Sequence, residues 1–108
     1  MKDRKVIQEF YHGEKPSVLY AEINGKRNGE YFSWHDNGIL EKRCFYKNGK
    51  VEGLYESWYA NGQKCITARF KNDMLNGLSE WVFSSGVVKR KRFMKNDLGF
   101  GWNWNIEN

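Results

Sequence analysis

Along the middle of the chain the apolar residues gather into short segments, separated by Gly, Asn and Asp. No window free of Gly is long enough to carry several helical turns with apolar residues three and four apart. The segments Glu30 to His35, Leu40 to Tyr46, Leu54 to Tyr59, Lys64 to Phe70, Ser79 to Phe83 and Val87 to Met94 have the length and composition of strands. Tyr31 and Tyr55 differ in phase from Trp34 and Trp58, so as strand residues they point to opposite faces of a sheet.

What separates the segments is itself regular. Asn-Gly occurs six times, at 24–25, 28–29, 37–38, 48–49, 61–62 and 76–77. Both residues tolerate positive φ, so each pair predicts a type I′ hairpin turn. Gly29, Gly53, Gly77 and Gly101 are spaced by 24 residues, and Gly38, Gly62 and Gly86 repeat that interval nine residues later. Other columns follow the same frame: Tyr31 with Tyr55, Trp34 with Trp58, the rings His35, Tyr59 and Phe83, and the series Tyr46, Phe70 and Met94. Each unit therefore has two turns and two strands, and the whole predicts an all-β, elongated antiparallel β-meander with a 24-residue period. One domain, 1–108, is expected: a degenerate N-terminal cap in 1–22, about three repeats in 23–100, and a truncated repeat in 101–108.

The motif Asn48-Gly49-Lys50-x-x-Gly53-x-Tyr55-x-x-Trp58-x-x-Asn61-Gly62 is echoed from Asn24 to Gly38 and, weakly, from Asn72 to Gly86. It resembles the MORN-repeat variant, and most of all the bacterial YwqK-like antitoxin proteins. The resemblance implies a twisted β-meander used for protein contacts, with membrane lipids or toxin neutralisation as the business of some relatives. The third unit departs from the pattern: Ser79 replaces the Tyr, Val82 the Trp, Ser85 the Asn, and Asp73 and Asp97 the turn Gly.

Composition adds that aromatics must supply much of the buried area. They are 17% of the chain, with five Trp, six Tyr and seven Phe, so Trp34, Trp58, Trp81 and the Tyr series are expected largely in the core. The absence of a long apolar run or an apolar leader predicts a cytoplasmic protein. Of the net charge of +5, the whole excess lies in Gly86 to Lys95, where Lys89, Arg90, Lys91, Arg92 and Lys95 stand without an acid. Strand alternation assigns Lys89 and Lys91 to one face and Arg90 and Arg92 to the other. The segment reads either as a solvated sheet edge that resists aggregation or as a docking site for an acidic partner.

Candidate chemistry is sparse. His12 and His35 are isolated, and Cys44 and Cys65 lack metal-ligand spacing and fall in opposite strand phases. No catalytic residue, metal or cofactor is expected. The function expected is non-enzymatic protein binding, with an antitoxin or immunity role against a toxin implied by the resemblance. The candidate partner-binding residues are Tyr31, Tyr55, Tyr59, Trp81, Lys89, Arg90, Lys91 and Arg92. The alternative is an anionic lipid surface or nucleic acid held by residues 89–92, and a homodimer through sheet edges is a further option.

Overall fold

Turn chemistry at each end of the hairpins brings every strand back beside the one before it. A computed structural model describes residues 3–94 and the backbone of 103–105. Its strands are β1 (Arg4–Phe10), β2 (Pro16–Ile23), β3 (Lys26–Trp34), β4 (Leu40–Lys47), β5 (Lys50–Val51), β6 (Gly53–Trp58), β7 (Lys64–Lys71), β8 (Met74–Leu75), β9 (Gly77–Val82), β10 (Val88–Met94) and β11 (Asn103–Asn105). The antiparallel order is β1-β2-β3-β4-β6-β7-β9-β10-β11, with the short β5 and β8 pairing the ends of β4 and β7. The result is a single sheet layer with overall extents of 44 × 34 × 12 Å.

The two ends of the sheet use different turns. At one end Asn24 and Gly25, Asn48 and Gly49, and Asn72 and Asp73 all have positive φ, the type I′ signature. At the other end only the glycine is left-handed: Gly38, Gly62 and Gly86 donate to the carbonyls of His35, Tyr59 and Phe83, three residues back. Those are type I turns closed by a glycine, so the expected type I′ geometry is corrected at 37–38 and 61–62. Asn-Gly at 28–29 and 76–77 is no hairpin turn either. Gly29 and Gly77 have positive φ at 97° and 102° within strands β3 and β9.

The N-terminal segment, expected as a degenerate cap, forms a paired hairpin of its own. β1 pairs along its length with β2, and the Tyr11 N–H donates to the Lys15 carbonyl just as the His35 N–H donates to that of Ile39. Gly101 and Trp102, which open the expected truncated unit, and Lys95 and Asp97 lie outside the described residues. β11 pairs with β10, opposing Arg90 to Asn105 and Arg92 to Asn103. The basic segment therefore does not lie on a sheet edge, which corrects one of its two expected readings.

Register assigns the two faces. Tyr20 opposes Tyr31, Tyr31 opposes Cys44, Lys42 opposes Ser57, Ser57 opposes Ile66, Ile66 opposes Trp81 and Trp81 opposes Arg90. These residues share what is called here the tyrosine face. The opposite face carries Phe32, stacked on Trp34, and the cross-strand pairs Val6–Ala21, Glu30–Phe45, Leu54–Arg69 and Leu78–Phe93.

The core is a ring cluster on the tyrosine face, not a tryptophan core. Tyr31, Cys44 and Tyr46 are buried, with Val18, Tyr20, Val51 and Tyr55 packed against them. Tyr31 stacks on Tyr20 at 5.2 Å and meets Tyr46 edge-on at 5.7 Å. The Arg27 guanidinium lies over all three rings. Trp34, Trp58 and Trp81 are only half-buried, because one layer has nothing to cover their outer surfaces. Cys65 also departs from expectation. The register shift between Ser57 and Trp58 leaves it as an extra residue, so it lines a groove with Tyr31 and Tyr55 on the face that holds Cys44. Both thiols are free.

Candidate partner-binding face

The ring column found in the sequence has a polar task. Tyr11 Oη donates to the Trp34 carbonyl, His35 Nε2 to that of Trp58 at 2.7 Å, and Tyr59 Oη to that of Val82 at 2.7 Å. Each ring thus ties its turn to the next unit. The asparagines two residues after His35 and Tyr59 do the same, Asn37 bonding the Ala60 carbonyl at 2.7 Å and Asn61 that of Ser84 at 3.1 Å. Their Oδ1 atoms accept the N–H groups of Ile39 and Gln63, closing an Asx turn. Phe83 has no donor, so this ladder stops there. Tyr11 stands 24 residues before His35, and that spacing could have revealed it in the sequence.

Beside this ladder an open groove of 470 Å³ runs over the tyrosine face, lined among others by Tyr31, Ser33, His35, Glu41, Lys42, Tyr55, Ser57, Tyr59 and Cys65. Several of its polar groups are occupied within the chain, while Ser57 Oγ is buried there without a hydrogen-bond partner. Ser33 Oγ donates to Glu41 at 3.0 Å, and His35 gives its Nε2 proton to a main-chain carbonyl while Nδ1 stands 4.0 Å from Glu41. The Lys42 ammonium lies over the Tyr31 and Tyr55 rings, at 4.8 and 5.7 Å. Burial pushes the Tyr31 phenol up and that of Tyr55 up to about 12; Tyr59 is raised by the Cys65 thiol beside it. These three phenols therefore stay neutral at physiological pH. Among the described residues no group of three or more His, Cys, Asp or Glu could hold a metal ion.

The candidate residues divide between places. Tyr31 is 8% exposed and forms the base of the ring cluster. Tyr55, Tyr59 and Trp81 are half-buried on the tyrosine face, and Arg90 and Arg92 join them there, opposite Trp81 and Ser79. The Arg90 guanidinium lies 5.2 Å over the Trp81 ring, and its Nε is buried without a hydrogen-bond partner. Lys91 instead opposes Glu80 on the other face and pairs with it at 3.5 Å. Lys89 departs from the expected alternation. It is the extra residue at the register shift between Val88 and Arg90, and its ammonium lies over Phe83.

The faces consequently differ in charge. On the opposite face Glu56 accepts Arg43 at 2.6 Å and a short bond from Lys64, and these partners, Lys64 first, hold its carboxyl below the usual range. On the tyrosine face, strands β6, β7, β9 and β10 present Tyr55, Ser57, Ile66, Ala68, Phe70, Ser79, Trp81, Arg90, Arg92 and Met94 in register, with no carboxylate. Two arginines, aromatic rings and no acid make a surface suited to an acidic partner.

Comparison with known families matches residues 27–50 and 51–72 to the MORN repeat variant. Comparison with curated proteins and with solved structures gives no significant match. Residues 27–72 are therefore similar to the MORN repeat variant, and MORN repeats generally serve as binding modules for proteins or membranes.

Proposed function

We propose, with the MORN-variant repeats as the premise, that this chain is a non-enzymatic module that docks an acidic protein on its tyrosine face, as an antitoxin or immunity protein docks a toxin. The charge difference between the faces carries the reading: the acid-free stretch from β6 to β10 gathers Arg90, Arg92 and Trp81 beside Tyr55. Trp, Tyr and Arg are the residue types that dominate interface energetics, and a surface held by turn-to-turn hydrogen bonds loses little entropy on docking. The toxin part rests on the resemblance of the 48–62 motif.

The lipid or nucleic-acid alternative needs residues 89–92 to act as one cation. Glu80 neutralises Lys91, and the remainder is shared between a turn and one face, which favours a protein partner. The test is capture from the native host, followed by co-expression with the product of the adjoining reading frame. Arg90→Glu with Arg92→Glu should weaken capture at least about tenfold, and Lys91→Glu on the other face should not. Capture that the double variant leaves unchanged refutes the assignment of the face.

A further inference from the structure

The face turned away from the tyrosine groove has a pattern of its own. Its four cross-strand pairs, from Val6–Ala21 to Leu78–Phe93, fall on one line across the sheet, because the Arg43–Glu56 register sets Phe45 beside Leu54 and the Thr67–Glu80 register sets Arg69 beside Leu78. The five large apolar side chains of that line are between 37% and 56% exposed. Two exposed charges interrupt it, Glu30 and Arg69, three strands apart or about 14 Å, too far to pair with each other. In order across the sheet the line reads two apolar residues, an acid, two apolar residues, a base, two apolar residues.

That order is complementary to its own reverse. We propose that this row is the contact surface for a second copy of the chain, docked face to face across a twofold axis that runs along the strands between β4 and β6. The axis reverses the row. Glu30 of each copy then meets Arg69 of the other, Phe45 meets Leu54, and Val6 meets Phe93, so both charges gain partners and the apolar residues cover each other. Face-to-face packing of two sheets with roughly aligned strands is a standard two-layer architecture, and a lone layer lacks its second half.

Charge agrees with that occupant. The neighbouring ions on this face are already satisfied within the chain, Glu56 by Arg43 and Lys64, and Glu80 by Lys91. The tyrosine face stays free for the acidic partner.

Sedimentation velocity of the full chain tests the inference. The wild type should dimerise at micromolar concentration. Glu30→Arg and Arg69→Glu, both exposed substitutions, should each weaken association at least about tenfold with circular dichroism unchanged. Mixed in equal amounts, the two variants should form a heterodimer of near wild-type affinity, since each then offers the charge the other lacks. A wild type monomeric to about 100 μM overturns the proposal. So does association that the charge reversals leave untouched, which places the contact at a sheet edge, or a mixture no tighter than either variant alone. Capture by the tyrosine face is read separately through Arg90 and Arg92, so the two proposals fail independently.

Discussion

Tyr59→Phe removes one hydroxyl and leaves the ring, which isolates the bond between neighbouring units. The lost bond is Tyr59 Oη to the Val82 carbonyl, 2.7 Å long and part-buried. A neutral hydrogen bond of this kind contributes about 1 kcal/mol net, and the carbonyl left behind is near enough to solvent to find water in part. For a domain of about 100 residues that loss lowers Tm by about 4–8 °C. The bond joins units and does not lie within one, so the effect falls on the coupling between the second and third repeats, as in a one-dimensional array. Thermal and urea unfolding of wild type, Tyr59→Phe and Tyr59→His would check it. Histidine fills the same column at position 35 and bonds the next turn through Nε2. Tyr59→His should therefore recover most of what Tyr59→Phe loses. Equal losses in the two variants, or a Tm unchanged to within about 1 °C in Tyr59→Phe, would refute the view that the column works through its polar tip.

Glu56→Gln should cost about 1–2 kcal/mol at neutral pH, because its partners Arg43 and Lys64 are themselves partly exposed. The folded carboxyl titrates below its ordinary value, so its contribution is present above that value and is lost as pH falls through the folded one; urea midpoints of wild type and variant should converge in acid. Of the two thiols, Cys44 is buried and burial raises its pKa, whereas Cys65 is partly exposed. A disulfide thiol reagent should therefore label Cys65 promptly in the native protein and Cys44 only on unfolding, followed by absorbance and peptide mapping.

Most of the strand layout was legible because Gly and Asn mark positions where the backbone needs positive φ, and Gly29, Gly53 and Gly77 do so at a fixed interval. Turn type was less legible. Asn-Gly suits both a type I′ turn and the end of a type I turn, and which forms depends on how many residues the flanking strands leave unpaired. Face assignment failed for Cys65 and Lys89 for one reason: each is an extra residue at a register shift, where alternation lapses. The tryptophan core failed because a single layer covers rings well on one face only, and the tyrosines, with Arg27 over them, occupy that face. The basic segment looked like an edge because β11, which covers it, is only three residues long.

One register detail links the broken third unit to the site. Trp81 stands one position before the column of Trp34 and Trp58, which Val82 occupies. In a strand, one position is one face. The shift moves the third tryptophan to the tyrosine face, where Arg90 lies over it. Trp81→Ser combined with Val82→Trp restores the Ser57-Trp58 order and sends the ring back to the other face. The fold should persist, since earlier units carry that order; its cost should stay near about 1–3 kcal/mol, the range for enlarging a buried residue such as Val82. Capture of an acidic partner should fall at least about tenfold, because the interface loses its tryptophan anchor and Arg90 loses its aromatic support. Circular dichroism checks the fold and capture checks the site. A swapped protein that folds and captures as well as wild type would show that the displaced tryptophan is an accident of the third unit, not the reason its surface differs from the other two.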